Sequence, residues 1–536
     1  MTFDVLKIKK RLVIAGAALF SAISLATVIY YIIFPSGQYF HADCSDTILW
    51  AQASYDSGSL FNKDFGYAAM LPFGGTMLMI PFIGIFGVSM TTHHIGMVLF
   101  TLMFFASVFL VCRSIKLSLP MSLTAVSVLA MMLCASQKLR EIFYEHVIYY
   151  SISVMIIFVL LSLLIKFNKH FTEEKSKKLM IIAVCTTVFA GLSALDGMQV
   201  IATGIVPVVF AAVAEMFFSG ERKLLSNENK PSAYFCVICG LSVVIGTYIL
   251  VIASSQVNAG YADAYSQYAN MDEWLSNLGM FPLHWFTLFG VDAQFGMSIF
   301  SPESVINIIR MGAAVIIAGV PFVALVFIKK FDFASRLLIY SHFGVTAVIM
   351  FGYVFGILSA ANWRLSPMIC TGIIVCFAAF RTAKEYVVPQ RLSVVAICVF
   401  VLMSAVSFKM ITEMPKNGKE LNEKYKLAQI LDEKGLNYGY ATFWNSQSIT
   451  VLSDSEVMAA NVDIDENGIA PCPYQTNKNW FKEQEAVDEY FVLVSDSELN
   501  VLKSTDDWAL FELLAVEEID IDGYTIFVFR DLLFLE

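Results

Sequence analysis

The stretch Gln38–Pro72, QYFHADCSDTILWAQASYDSGSLFNKDFGYAAMLP, decides how this chain is read. It follows an apolar run at residues 12–34 and places two acids, Asp43 and Asp46, just beyond the end of that run. Carboxylates cost free energy near hydrocarbon, so acids at this depth usually have a partner or a task. An amphipathic run, TILWAQASY, comes next, and then an apolar segment punctuated by Pro and Gly. Everything outward from this stretch reads as a scaffold that holds it at a membrane surface.

Composition supports that frame. Of 536 residues, 57% are hydrophobic and 15% charged, against roughly 25% charged in soluble domains. Runs of about 20 apolar residues mark spans. They are predicted at 12–34, 92–112, 119–135, 147–166, 179–195, 200–218, 232–254, 311–328, 336–358, 366–380 and 392–409, eleven in all. Lys7, Lys9, Lys10 and Arg11 precede the first, and no small-residue cleavage motif follows it. It is therefore expected to stay as an anchor.

Basic residues set the orientation, because cytoplasmic loops collect Lys and Arg. With the N-terminus inside, the inner loops hold Arg113/Lys116, Lys166–Lys178, Arg222/Lys223/Lys230, Lys329/Lys330 and Arg381/Lys384/Arg391. The outer loops hold only Lys63, Lys138, Arg140, Arg310 and Arg364. A plasma-membrane, multi-pass protein is expected, with the N-terminus cytoplasmic and the C-terminus extracytoplasmic. The same parity excludes residues 68–88 as a twelfth crossing. They read instead as a re-entrant or interfacial helix within a first outer loop at 35–91.

The last stretch differs in kind. Residues 411–536 hold 9 Lys+Arg against 25 Asp+Glu, while residues 1–410 hold 26 against 20. The acidic part is expected to be a separate soluble α/β domain, and its charge argues against nucleic acid as a partner. KELNEKYKLAQILDEKGL reads as an amphipathic helix capped by Gly435. YGYATFW (438–444), SITVL (448–452), EVMAANV (456–462), EYFVLV (489–494), ALFELLAV and YTIFVFR read as strands, and SDSELNVLK as a short helix. The outer loop 255–310, rich in aromatics such as Tyr261, Tyr265, Tyr268, Trp274 and Trp285, suits a partly ordered lid at the headgroup level. The ten cysteines form no framework. Cys236 and Cys239 have CxxC spacing, but inside a span and without a second pair.

Several outer-loop residues carry chemistry. Asp43 and Asp46, at i and i+3, share a helical face if the helix has begun by then. An aspartate at a dry interface can take a proton or orient a hydroxyl. Asp46 suits equally the N-cap of TILWAQASY. Glu141 and Glu145 at i, i+4, with His146, supply part of a metal site, or else a solvated loop with Lys138 and Arg140 as ion-pair partners. Lys138 and Arg140 also suit an anionic lipid headgroup. Asp196, beside Gly197 between two spans, reads as a turn residue and stays among the candidate binding residues. His93 and His94 open the second span. Arg364, in ANWRLSP, has what phosphate or pyrophosphate binding requires, though snorkelling to lipid is an ordinary alternative.

Taken together, the first span followed by HADCSD, the helix TILWAQASYDSGSLF, the segment FGYAAMLPFGGTMLMIPFIGIFG, the late WRLSP and the tail YGYATFWNSQSITVL resemble the GT-C superfamily. These are polytopic membrane glycosyltransferases that use polyprenyl-phosphate sugars, and the likeness extends to a group found in Gram-positive bacteria. The resemblance implies a mainly α, polytopic transmembrane helical bundle, with about eleven spans plus the re-entrant or interfacial helix and a small C-terminal α/β domain. It implies transfer of a sugar to a cell-envelope glycan or lipid acceptor at the outer face of the bilayer, by a single inverting displacement. Asp43 would be the catalytic acid with Asp46 second, Arg364 would hold the lipid phosphate, and Glu141 or Glu145 would join a divalent metal, Mg or Mn, in those members that use one. The first-loop acids are not adjacent, the second loop has no DxD, and the tail lacks a WWDYG-type signature. A transporter or flippase of a lipid-linked intermediate, or a non-catalytic assembly protein, are the competing classes. The near absence of charge inside the spans favours a surface site over a transport path.

Overall fold

The computed structural model describes residues 2–69, 76–147, 149–218, 226, 228–255, 257–259, 267–294, 296–357, 361–384, 387–484, 487–506, 508–531 and 533–534. Among them, ten helices are long and apolar enough to cross a membrane: Lys10–Ile33, Met90–Ser114, Tyr149–Thr172, Ser176–Ala194, Met198–Phe218, Lys230–Ser254, Pro302–Val326, Phe333–Phe355, Asn362–Ala383 and Val388–Thr412. Each matches one of the expected spans. The eleventh, expected at 119–135, is the shorter helix Leu119–Met132, after which the chain bends by 119° into Gln137–Glu145. The second piece cannot continue the same crossing and lies across the end of the bundle.

Local sequence sets many of the helix starts. Ser89, Ser136, Ser301 and Asp332 each accept a hydrogen bond from a first-turn backbone N–H, satisfying a donor that the helix leaves unpaired. Prolines stand in the first turn of several helices, as at Pro231, Pro302 and Pro367, where the missing N–H costs nothing.

Within the first outer loop, the helix Ala42–Ser57 begins at His41 and ends at Gly58, whose φ is +62°. Asp46 is therefore not its N-cap. It stands a full turn inside the helix, because the chain becomes helical immediately after the extended His41. The apolar segment that follows contains the helix Thr76–Phe86, with Pro81 inside it. At 1.5 Å per residue, 11 residues reach about 16 Å, half of the roughly 30 Å hydrocarbon core. The described helix by itself is thus too short to cross; residues 70–75 lie outside the described residues. Of the expected lid at 255–310, Tyr261 and Tyr265 also lie outside them. The described part is a packed helix, Glu273–Leu288, tied to the bundle by Trp285 Nε1 to Ala314 O at 3.1 Å and Asn277 Nδ2 to Val354 O at 3.0 Å. Two residues, Asn258–Ala259 (β2), pair in parallel with Gly66–Tyr67 (β1).

The C-terminal part is a six-stranded sheet. Its strands are β3 (Tyr438–Ala441), β4 (Met458–Asp465), β5 (Gly468–Pro471), β6 (Tyr490–Ser495), β7 (Glu517–Ile521) and β8 (Tyr524–Phe529), in the order β5-β4-β3-β6-β8-β7. One face is covered by Leu427, Ala428 and Leu431 of the helix Glu423–Glu433, the other by Leu502 and Phe511. Two expected strands are helices. SITVL lies in Phe443–Leu452 because β3 and β4 are parallel neighbours, and parallel strands need a crossover, usually helical. Most of ALFELLAV lies in Trp508–Leu514, where Trp508 and Phe511, one turn apart, pack edge-to-face on Phe527 of β8. The edge strands β5 and β7 were not anticipated, since short polar edge strands carry little apolar periodicity.

Candidate active site

One end of the bundle, against which the C-terminal sheet domain packs, collects the candidate residues from five separated parts of the chain. Asp43 and Asp46 lie one turn apart on the same face of Ala42–Ser57, both half-buried. Trp50, one turn further, donates its indole N–H to Gln475 Oε1 of the C-terminal domain. Ser45 Oγ is 3.1 Å from Gln447 Oε1, and Gln447 in turn donates to Gln475 O at 2.7 Å. The backbone joins in: Gly66 N meets Thr476 O at 2.9 Å, and Gln475 N meets Gly66 O at 2.8 Å. The acid-bearing helix is thus fixed from two sides.

The two aspartates differ in environment. Oδ1 of Asp46 is buried without a hydrogen-bond partner among the described residues. Burial, and then the charge of Asp43, push the Asp46 carboxyl well above the usual carboxylate range. Its surroundings include Tyr149 and Tyr474. The charges of Asp46 and Asp196 are both felt at the Tyr149 hydroxyl, and those of Asp46 and Asp43 at the Tyr474 hydroxyl.

Next to Tyr149 stands Tyr150, whose hydroxyl accepts from Gln199 Nε2 at 2.9 Å and feels the charge of Arg364. Arg364 is half-buried, in the 3-10 turn Asn362–Leu365, with a guanidinium nitrogen lying near Gly356. Consecutive residues of one helix therefore feel the charges of Asp46 and Asp196 and that of Arg364. No sequence pattern singled out Tyr149, Tyr150, Gln199 or Tyr474, because the helix YYSISV and the loop PYQTN carry no local signal of a site.

The turn 136–146 supplies a second cluster. Glu141 receives Lys138 Nζ at 2.6 and 2.8 Å and has the imidazoles of His41 and His146 at 3.6 and 3.5 Å. Burial opposes its charge, but His146, His41 and Lys138 outweigh that and hold its carboxyl well below the usual range. On His41 burial also opposes the charge, while Cys44 and Glu141 act the other way and its pKa is raised. Lys138 lies 4.7 Å over the ring of Trp363, next to Arg364. Glu145 accepts the Tyr31 hydroxyl and is otherwise buried. Burial pushes its carboxyl up to about 7, against Tyr31 and Arg140, which act to lower it.

Two expectations for this turn are corrected. Arg140 does not reach a lipid headgroup. It is buried, with its guanidinium 5.2 Å over Tyr31 and 5.9 Å from Tyr39, and Nη1 donating to Cys134 O at 3.0 Å. Nor do Glu141, Glu145 and His146 present a donor set for a divalent ion. Glu141 is spent on Lys138 and two histidines, Glu145 on Tyr31, and no group of three His, Cys, Asp or Glu side chains among the described residues is arranged to hold a metal. Cys236 and Cys239, like Cys44 and Cys472, are free thiols.

A bundle of apolar spans with a long acid-bearing loop after the first of them, capped by a sheet domain, is the GT-C fold. The chain superposes on the crystal structure of the Archaeoglobus fulgidus oligosaccharyltransferase in its apo form with a TM-score of 0.51, at 11% identity over 95% of this chain and 73% of that one. For ArnT from Cupriavidus metallidurans in the apo state the TM-score is 0.49, at 11% identity over 96% and 98% of the two chains. No family model and no curated protein matches the chain.

Proposed function

We propose that this protein is a membrane glycosyltransferase that moves a sugar from a polyprenyl phosphate to a cell-envelope acceptor at the outer face of the bilayer. The observation that carries the reading is the pairing across Tyr149 and Tyr150: Asp46 and Asp196 are felt at one and Arg364 at the other, with Asp43 one turn from Asp46 on the same helix.

In this mechanism an acceptor hydroxyl attacks the anomeric carbon of the sugar. The bond from that carbon to the phosphate oxygen breaks, and the polyprenyl phosphate leaves with the electron pair. The hydroxyl proton passes to Asp43. Asp46, whose carboxyl is pushed up by burial and by Asp43, leaves Asp43 as base or orienting group, a division of labour set by environment. Arg364 steadies the charge that grows on the leaving phosphate. Lys138 stands close by through Trp363 and adds positive potential, while its bond to Glu141 fixes the turn.

The test is sugar transfer in isolated membranes from a panel of radiolabelled polyprenyl-phosphate sugars, comparing wild type with Asp43→Asn. Release of label from at least one donor by the wild type, and its loss in the variant, is expected. Equal release by both proteins overturns the reading.

A further inference from the structure

The helix Phe443–Leu452 is buried from Asn445 onward, but its first two residues are not. Phe443 is half-buried and Trp444 is 60% exposed. The Trp444 and Phe443 rings lie 5.2 Å apart at 70°, and Phe443 and Tyr474 lie 5.0 Å apart at 63°. Tyr474 precedes Gln475, which accepts the indole N–H of Trp50 one turn beyond Asp46, and the charges of Asp46 and Asp43 reach the Tyr474 hydroxyl. An aromatic path thus runs from the surface of the C-terminal domain to the acid pair.

The path is rigid at its inner end. Gln475, next to Tyr474, has a φ of +56°, a conformation that costs a non-glycine residue free energy and persists only where its surroundings enforce it. Trp50, Gln447 and the backbone of Gly66 do so. The carbonyl of Tyr474 also accepts Asn461 Nδ2 at 2.9 Å.

We propose that this path binds the acceptor, and that the acceptor is a carbohydrate chain. A pyranose ring has C–H-rich faces that pack on the electron-rich face of an aromatic ring, and hydroxyls at its edge for a carboxylate to accept. Trp444, Phe443 and Tyr474 supply the faces, and Asp43 and Asp46 terminate the path. A lipid tail would require an apolar end, and here the path ends on two carboxylates. The assignment of the carbohydrate as acceptor rests on the transferase reading, whereas its binding does not.

The experiment separates the two. The full chain in detergent is applied to an array of neutral and anionic envelope oligosaccharides, with no donor present. Binding to at least one glycan is expected, weakened at least tenfold in Trp444→Ala, less in Trp444→Phe, and also weakened in Tyr474→Ala, with melting temperature confirming that each variant folds. No binding by the wild type, or equal binding by Trp444→Ala, overturns the proposal. So does a difference between wild type and Trp444→Ala in quenching by brominated lipid in nanodiscs, which would make Trp444 a bilayer anchor. If glycans bind through Trp444 while Asp43→Asn releases as much sugar from the donor panel as wild type, the transferase reading fails and the glycan site stands.

Discussion

Trp50 donates its indole N–H to Gln475 across 425 residues of chain. It is two turns from Asp43 and one from Asp46 on the same helix, so this bond fixes the acids to the C-terminal sheet domain as well as to the bundle. On the proposed reading the domain forms a wall of the site, and its docking is open to direct test.

Gly66 is the point where docking is tightest. A Cβ there would lie 1.8 Å from Pro473 O, a backbone atom that cannot swing away. Gly66→Ala is therefore expected to push the 473–476 segment off the first outer loop, at a cost of about 1–3 kcal/mol. A lowered melting temperature, and faster proteolysis between the last span and the sheet domain, are the readouts. A variant that melts and digests like wild type would show that the domain is held elsewhere.

The acid pair should respond unequally. Asp43→Asn removes the proposed base and is expected to slow transfer by ~10²–10⁴. Burial and the charge of Asp43 push the Asp46 carboxyl up toward its neutral form, and an amide is close in shape to the neutral acid. Asp46→Asn should therefore retain far more activity than Asp43→Asn in the same radiolabel assay. The reverse order would exchange the two roles.

Glu145 should make stability depend on pH. Buried beside Tyr31, its folded carboxyl keeps the proton up to about 7, while the unfolded chain releases it near 4.5. Between those values the folded state holds more protons, so stability falls as pH rises, by roughly 3 kcal/mol in all. Glu145→Gln keeps the acceptor for Tyr31 and removes the titration. Melting temperatures of the detergent-solubilised protein at pH 4.5 and 7.5 should fall less in the variant. Parallel slopes in the two proteins would assign the effect to other groups.

Arg364→Lys keeps the charge and loses the planar fork that matches a phosphate. Apparent affinity for the polyprenyl-phosphate donor is expected to drop about tenfold, with a smaller change in the maximal rate, measured as initial rate against donor concentration. If the lysine variant matches wild type, Arg364 acts as a point charge or not at all on the donor.

The membrane architecture was legible because each span is a long apolar run whose ends are marked by Ser, Asp or Pro, and these signals are local. Asp43, Glu141 and Arg364 were visible for the same reason, as charges stranded at the ends of apolar runs. Their relation was not. Tyr149, Tyr150 and Tyr474 look like any interfacial tyrosines until the fold brings Asp46 within reach of the first and last and Arg364 within reach of Tyr150. SITVL, β-branched and apolar, suits a strand by propensity and is a helix because it must carry the chain between the parallel strands β3 and β4. Arg140 looked bound for lipid, but the 119° bend after Met132 turns it under Tyr31 and Tyr39.

By itself, then, the sequence determined that this is a multi-pass helical protein with acids at the end of its first span, since hydrophobicity and charge act over neighbouring residues. Only the tertiary structure decided that burial raises the Asp46 carboxyl, that Arg140 is taken up under Tyr31 and Tyr39, and that Trp50 and Gln475 lock the two halves together. Those properties depend on burial and on distances between residues hundreds of positions apart, which no local pattern encodes.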